Sequence, residues 1–144
     1  MTDLQVPLAG AEHASAISQP YWDALAEGEF VLQRCAACGS YQHYPRRICR
    51  TCASESLEYS AASGTGTIFA ATLVHRANAS RLAARTPYWL ALVQMTEGPL
   101  LFALLDGVAG AQVSPDRGSG LQGTAVVVDW AGTRSSGLLT VRPH

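Results

Sequence analysis

Charged residues are scarce in this chain of 144 residues: they make up 15 % of it and leave a formal net charge of −1. Proteins that bind nucleic acid or anionic membranes need a surplus of positive charge, so this composition argues against both. No apolar run reaches the roughly 18 residues of a membrane span, and residues 1–16 lack the basic start and apolar core of a signal peptide. We therefore expect a cytoplasmic protein with reduced cysteines, and neither nucleic acid nor a membrane among its partners.

The motifs of known catalytic sites are missing as well. The sequence contains no GxSxG nucleophile elbow and no HExxH helix. Gly64-Thr65-Gly66 precedes a predicted strand rather than a helix, so it does not match a phosphate-binding loop. The four histidines stand apart in the sequence: His13, His43, His75 and His144. We expect no catalytic residue in this chain.

The four cysteines form two CxxC pairs with ten residues between them: Cys35, Cys38, Cys49 and Cys52. A two-residue spacer lets both sulfurs of a pair reach one ion, so two such turns fit a tetrahedral, structural Zn²⁺ site. Four thiolate ligands leave no open position for water, which argues against catalytic zinc. A redox pair or two disulfides are the alternatives. A redox pair normally lies at a helix N-terminus, and disulfides need an oxidising compartment. The sequence indicates neither.

Two residues that follow the cysteine pairs bear on the geometry of the turns. Gly39 comes directly after the first pair, where a tight turn favours a positive φ. Ala53 takes the matching place after the second pair, so only the first turn has the preferred residue. His43 lies near the cysteines, but with four thiolates available we expect it on the surface rather than among the ligands.

The predicted elements divide the chain into four parts, which are a loosely held arm (1–16), a helix (17–29), a zinc ribbon (30–60) and a barrel (61–144). In the ribbon, strands are predicted over residues 30–34 and 41–44. Five barrel strands are predicted, with a long loop at 106–120 and a turn at 132–137: residues 67–75, 88–95, 100–105, 123–130 and 138–142. The fold class is thus mainly β, with a short N-terminal helix, a rubredoxin-like zinc ribbon and a five-stranded OB-fold barrel.

The predicted helix has recognisable ends and one apolar face. Ser18 suits its N-cap, Pro20 its first turn and Gly28 its end. Three residues with i, i+3 and i+4 spacing form the apolar face: Trp22, Leu25 and Ala26. So short a helix is unstable alone and must pack on its own chain or on a partner.

Two groups of side chains are candidates for binding. Arg46, Arg47 and Arg50 cluster on the ribbon, where guanidinium groups suit the phosphates of coenzyme A or a partner protein. A solvated basic edge is the alternative. Tyr21 and Trp22 on the helix are candidate partner contacts, because aromatic residues are enriched in interfaces, and packing in the core is their alternative.

The order of these features resembles a known family, the rubredoxin-like zinc-ribbon plus OB-fold proteins associated with acyl-CoA metabolism, formerly a domain of unknown function. The resemblance runs from about Gln19 to Val141. It rests on six groups of residues: Pro20-Tyr21-Trp22, Arg34-Cys35-Ala36-Ala37-Cys38-Gly39, Tyr44-Pro45-Arg46, Gly64-Thr65-Gly66-Thr67, Pro87-Tyr88 and Gly123.

This resemblance implies an accessory subunit whose chemistry belongs to a thiolase-like partner. Such partners are thiolases, acyltransferases or retro-aldolases that act on acyl-CoA, for example in the degradation of steroid side chains or aromatic acids. The small subunit stabilises the partner and helps to shape its acyl-CoA site, so we expect a hetero-oligomer in which this chain is a separate subunit. A free-standing acyl-CoA-binding protein and a single-stranded nucleic-acid-binding OB-fold protein are the alternatives.

Overall fold

The computed structural model describes residues 14–78, 80–108 and 120–144. Three helices are present in these ranges: α1 (Gln19–Ala26), α2 (Ser80–Ala83) and α3 (Trp130–Ser136). Eight strands are present: β1 (Val31–Cys35), β2 (Tyr41–Gln42), β3 (Leu57–Ala61), β4 (Thr65–Val74), β5 (Tyr88–Met95), β6 (Leu100–Leu105), β7 (Ala125–Val128) and β8 (Thr140–Pro143). None of the helices described is long and apolar enough to cross a bilayer.

The strands form two sheets, and together they confirm the predicted fold class. β2, β1 and β3 form a small antiparallel sheet in that order, which carries the cysteines. The other five strands form a closed barrel in the order β4-β5-β6-β8-β7. Parallel pairing of β6 with β8, through Leu104 and Thr140, closes the barrel between otherwise antiparallel neighbours. The protein is mainly β, with a short helix, a four-cysteine ribbon and a five-stranded barrel.

The link between β7 and β8 differs from the predicted turn, because α3 occupies it. The Asp129 side chain accepts a hydrogen bond from the Gly132 N–H (3.1 Å), and Gly137 ends the helix with φ 72°. The predicted strand over 123–130 was therefore too long, since Trp130 is the first residue of α3. Asp129 and Gly137 are typical helix-capping residues, but the segment between them is so short that we interpreted it as a turn.

Other boundaries move by smaller amounts. The ribbon has a third strand, β3, which the prediction omitted, and its second strand is shorter than the predicted 41–44. β4 begins at Thr65, two residues before the predicted start, while β5 and β6 have the predicted bounds. Residues 1–13 of the predicted arm and 109–119 of the predicted loop lie outside the described residues.

The helix α1 is shorter than predicted and turns a different face inward. Its buried residues are Tyr21 and Leu25, which are 4 % and 3 % exposed. Trp22 is half-buried and Ala26 is exposed. Tyr21 and Leu25, which are spaced i, i+4, therefore form the inward face of α1. They pack into the same apolar cluster as Phe30, Leu32 and the barrel core.

Candidate metal centre

The four cysteine sulfurs converge on one point at the end of the ribbon. All four Sγ atoms lie within 4.8 Å of one another. The Cys35 and Cys52 sulfurs are 3.6 Å apart, and those of Cys38 and Cys49 are 3.7 Å apart. Disulfides need about 2.05 Å, whereas tetrahedral Zn–S bonds of about 2.3 Å place sulfurs about 3.8 Å apart. The spacing therefore fits a four-thiolate metal site and not two disulfides.

The two cysteine turns share one backbone pattern. In each, the N–H of the first cysteine donates to the carbonyl five residues on, from Cys35 to Ser40 and from Cys49 to Ser54. The residue after the second cysteine donates back to the first, from Gly39 to Cys35 (2.8 Å) and from Ala53 to Cys49 (2.9 Å). These bonds hold the sulfurs of each turn on the same side, so that both reach one ion.

The left-handed residue of each turn yields a prediction about metal retention. Gly39 has φ 77° and Ala53 has φ 62°, so alanine occupies a conformation that costs an L-residue about 1 kcal/mol. We expect Ala53→Gly to strengthen zinc binding about fivefold, measured by competition with a chelator. Gly39→Ala is the matched reverse: its Cβ would lie 3.7 Å from the Arg34 guanidinium, an ordinary contact. It should weaken zinc binding by a similar factor, and a shift in the same direction for both variants would contradict this account.

The protonation of the thiols also favours a cation at this point. A hydrogen bond from the backbone N–H of Cys52, joined by one from Thr51, lowers the pKa of the Cys49 thiol to about 6. For Cys52, the backbone N–H of Ser54 favours the thiolate, but the adjacent Cys35 thiol and the other cysteines outweigh it and raise the pKa to about 12. Four sulfurs this close cannot all ionise unless a positive charge lies among them.

Two buried glutamines, which the sequence analysis missed, hold the segment between the cysteine turns. Gln33 and Gln42 are 4 % and 3 % exposed, and the Gln42 amide donates to Gln33 Oε1 (2.9 Å). Gln33 also donates to the Arg46 carbonyl (2.9 Å) and accepts from the Arg46 N–H (2.8 Å). Gln42 Oε1 accepts from the Arg50 N–H (3.0 Å). The sequence offered one sign of this pairing: each glutamine lies in one of the two strands that were predicted for the ribbon.

The candidate binding residues fall into two different environments. Arg46, Arg47 and Arg50 are exposed on the segment that the glutamines hold. Tyr21 is buried, so its side chain is a core residue of this chain and not a surface for a partner. Trp22 is half-buried, and its ring meets the Tyr21 ring edge-on at 5.0 Å. The three arginines are therefore exposed on one segment, whereas Tyr21 is buried.

His43 is not the surface residue that we expected. Its ring lies 4.9 Å from the Tyr21 ring and 4.3 Å from the Tyr44 ring, measured between centroids. Burial lowers the pKa of His43 to about 4, so the ring is neutral at pH 7. His43 does not belong to the cysteine cluster, and its packing between aromatic rings keeps it away from the sulfurs.

A four-cysteine ribbon followed by a closed five-strand barrel defines the class of zinc-ribbon plus OB-fold proteins. Residues 22–58 match the family model of the ChsH2 rubredoxin-like zinc ribbon domain, and residues 59–130 match that of the ChsH2 C-terminal OB-fold domain. The chain belongs to the ChsH2 family, as the resemblance in its sequence indicated.

Two solved structures and one curated protein show how far the similarity extends. The Ltp2-ChsH2(DUF35) aldolase matches with a TM-score of 0.72 and 29 % identity, over 90 % of this chain and 96 % of that chain. A DUF35 protein of unknown function from Sulfolobus solfataricus shares the fold, with a TM-score of 0.61 at 13 % identity over 92 % and 89 %. A probable enoyl-CoA hydratase alpha subunit from Thermomonospora curvata is 33 % identical over 110 residues, which are 76 % of this chain. The chain spans only 32 % of that protein's length.

Proposed function

We propose that the four cysteines hold one structural Zn²⁺ ion. The sulfur spacing of 3.6 and 3.7 Å between the two CxxC turns, the matched backbone turns and the zinc ribbon family model support this assignment. With all four tetrahedral positions taken by thiolates, such an ion binds no water and stabilises the ribbon rather than activating a substrate.

We further propose that the chain is a non-catalytic accessory subunit of a thiolase-like enzyme that acts on acyl-CoA. The observation that carries this proposal is the structural match to a chain of the Ltp2-ChsH2(DUF35) aldolase, which covers 96 % of that chain. The name of the Thermomonospora curvata relative adds a link to enoyl-CoA chemistry. The thiolase-like nature of the partner and the acyl-CoA substrate rest on the family resemblance, and a cytoplasmic location rests on the composition and the N-terminal residues of the sequence.

Co-expression with the thiolase-like protein encoded nearest its gene tests this function. We expect the two chains to co-elute in size-exclusion chromatography with light scattering, at a fixed ratio. We also expect thiolase or retro-aldol activity to depend on this chain. Separate elution, with the enzyme active alone, would refute the proposal. Coenzyme A and single-stranded DNA would then be titrated as direct ligands of the isolated chain.

A further inference from the structure

Residues 44–50 lead from β2 into the second cysteine turn, and all of them except Pro45 and Cys49 are exposed. We call this segment the arginine knob. Tyr44 is 52 % exposed and Ile48 is 47 % exposed, both high for large apolar side chains. Arg46, Arg47 and Arg50 are exposed on the same segment. Isolated exposed apolar residues are ordinary, but Tyr44 and Ile48 lie within five residues of each other and share their segment with three arginines. Aromatic and arginine side chains are both enriched in protein interfaces.

The knob is held rigidly from beneath, without the use of its arginine side chains. The hydrogen bonds from Gln33 and Gln42 engage only the backbone of Arg46 and Arg50. A further bond, from the Gln42 amide to the Ile48 carbonyl (3.4 Å), fixes the apolar tip. A surface that is ordered before binding loses less entropy on association, which favours docking over a loosely solvated edge.

The charge of the knob defines the chemistry of its occupant. The whole chain has a net charge of −1, so three arginines within five residues stand out against an acidic remainder. Arg47 lies 3.8 Å from Glu55, with both side chains largely exposed. Within the described residues, Arg46 and Arg50 have no ion pair, and their charges remain available to carboxylates on another molecule.

We propose that the arginine knob is the docking surface for an acidic face of the partner enzyme subunit, with Tyr44 and Ile48 seated in an apolar depression of that face. The inference rests on the proposed function, because that function supplies the partner. The two exposed apolar side chains on the same segment favour a protein surface over the phosphates of coenzyme A or of nucleic acid, which need the arginines alone. The knob therefore determines where the enzyme binds, beside the metal centre.

A second exposed apolar surface provides matched controls. Phe69 on β4 and Phe102 on β6 are 49 % and 56 % exposed on the outer face of the barrel, close to the values of Ile48 and Tyr44. Nothing in the structure shows what covers that face. Substitutions there remove a similar exposed apolar side chain without touching the knob.

The test compares charge reversal on the knob with the same reversal on the barrel. Arg46→Glu with Arg50→Glu removes the two free charges, while Arg76→Glu with Arg142→Glu makes an equal change in net charge elsewhere. Ile48→Ser is paired with Phe102→Ser. Affinity for the thiolase-like protein encoded nearest the gene is measured by biolayer interferometry at low and physiological ionic strength. Zinc content and barrel stability are measured for every variant, to verify folding.

We expect the knob arginine pair and Ile48→Ser each to weaken binding by about tenfold or more, and both barrel controls to stay within about threefold. The salt dependence of binding should also flatten when Arg46 and Arg50 are reversed. Unchanged affinity of the knob variants, in a complex that wild type forms, would overturn this inference alone and leave the proposed function standing. A different result would be that the isolated wild-type chain binds coenzyme A, whereas the Arg46→Glu, Arg50→Glu variant does not and still forms the complex. That result would overturn the docking proposal in favour of a phosphate site. Failure of wild type to bind would remove both.

Discussion

Replacement of Cys38 by serine should abolish zinc binding and unfold the ribbon, while the barrel retains its strands. The Cys38 sulfur lies 3.7 Å from that of Cys49, within the cluster of four, and a serine hydroxyl does not ionise to replace a thiolate ligand. Structural zinc supplies binding free energy on the order of 10 kcal/mol. The three short strands of the ribbon have little core of their own to compensate for that loss, since Leu32 belongs to the cluster shared with the barrel. Metal analysis should fall from one zinc ion per chain to nearly none.

Ser40→Ala is the control for this substitution. The Ser40 hydroxyl contacts the Cys38 sulfur at 2.9 Å, so its removal disturbs the same turn without removing a ligand. That variant should keep its zinc. Amide exchange should locate the damage in Cys38→Ser, with β1 and β3 losing protection while β4, β5 and β6 keep theirs. Full zinc occupancy in Cys38→Ser would refute the four-cysteine site, and loss of barrel protection would show that the two sheets fold as one unit.

The features that the sequence predicted well are those set by local spacing. Two CxxC pairs placed Cys35, Cys38, Cys49 and Cys52 together because a two-residue spacer fixes both sulfurs of a turn. The strands β5 and β6 kept their predicted bounds because Thr96-Glu97-Gly98-Pro99 marks the turn between two largely apolar runs. Such signals depend on neighbouring residues alone, and the fold does not override them.

The features that escaped prediction depend on contacts between distant segments. β3 is recognisable as a strand only through its pairing with β1, where Gln33 lies opposite Tyr59. Gln33 and Gln42 appear polar and surface-exposed in sequence, yet their burial follows from the chain returning over them at Arg46. Tyr21 and Trp22 both have helical spacing to Leu25, so periodicity alone does not choose between them. Tyr21 faces inward because it meets Phe30 and His43. The clustering of the four cysteines was thus predicted from the sequence, but the side chains that support the cluster were not.

Gly66→Ala should destabilise the barrel by about 3 kcal/mol, near the upper end of the usual cost of inserting a methyl group into a packed structure. A Cβ at Gly66 would lie 2.4 Å from the Gln94 carbonyl oxygen and 3.0 Å from a Val93 methyl carbon. Gly66 pairs with Met95 across the β4–β5 interface, so relief requires separation of two hydrogen-bonded strands. Urea unfolding monitored by far-UV circular dichroism measures the loss of unfolding free energy.

Two controls separate steric clash from other effects of a side chain at this position. Thr67→Ala changes the exposed neighbour in the same strand and should cost less than about 0.5 kcal/mol. Gly123 has φ 85°, and a Cβ there would have no atom within 4 Å. Gly123→Ala should therefore lower the free energy of unfolding by about 1 kcal/mol through backbone strain alone. If Gly66→Ala lowers the free energy of unfolding no more than Gly123→Ala does, β4 and β5 move apart without cost and the predicted steric clash is refuted.

The structural roles of Gly64 and Gly66 account for the failure of Gly64-Thr65-Gly66 to match a phosphate-binding loop. Gly64 has φ 71° at the entrance to β4, a conformation that favours glycine, and its carbonyl accepts a hydrogen bond from the Val128 N–H (2.8 Å). Gly66 is required instead by the close approach of β5. Each glycine thus has a separate structural cause within the barrel, and neither leaves a turn of free N–H groups before a helix, which an anion site of that kind requires. A phosphate titration of the wild-type chain that shifted the amide resonances of residues 64–66 would contradict this explanation.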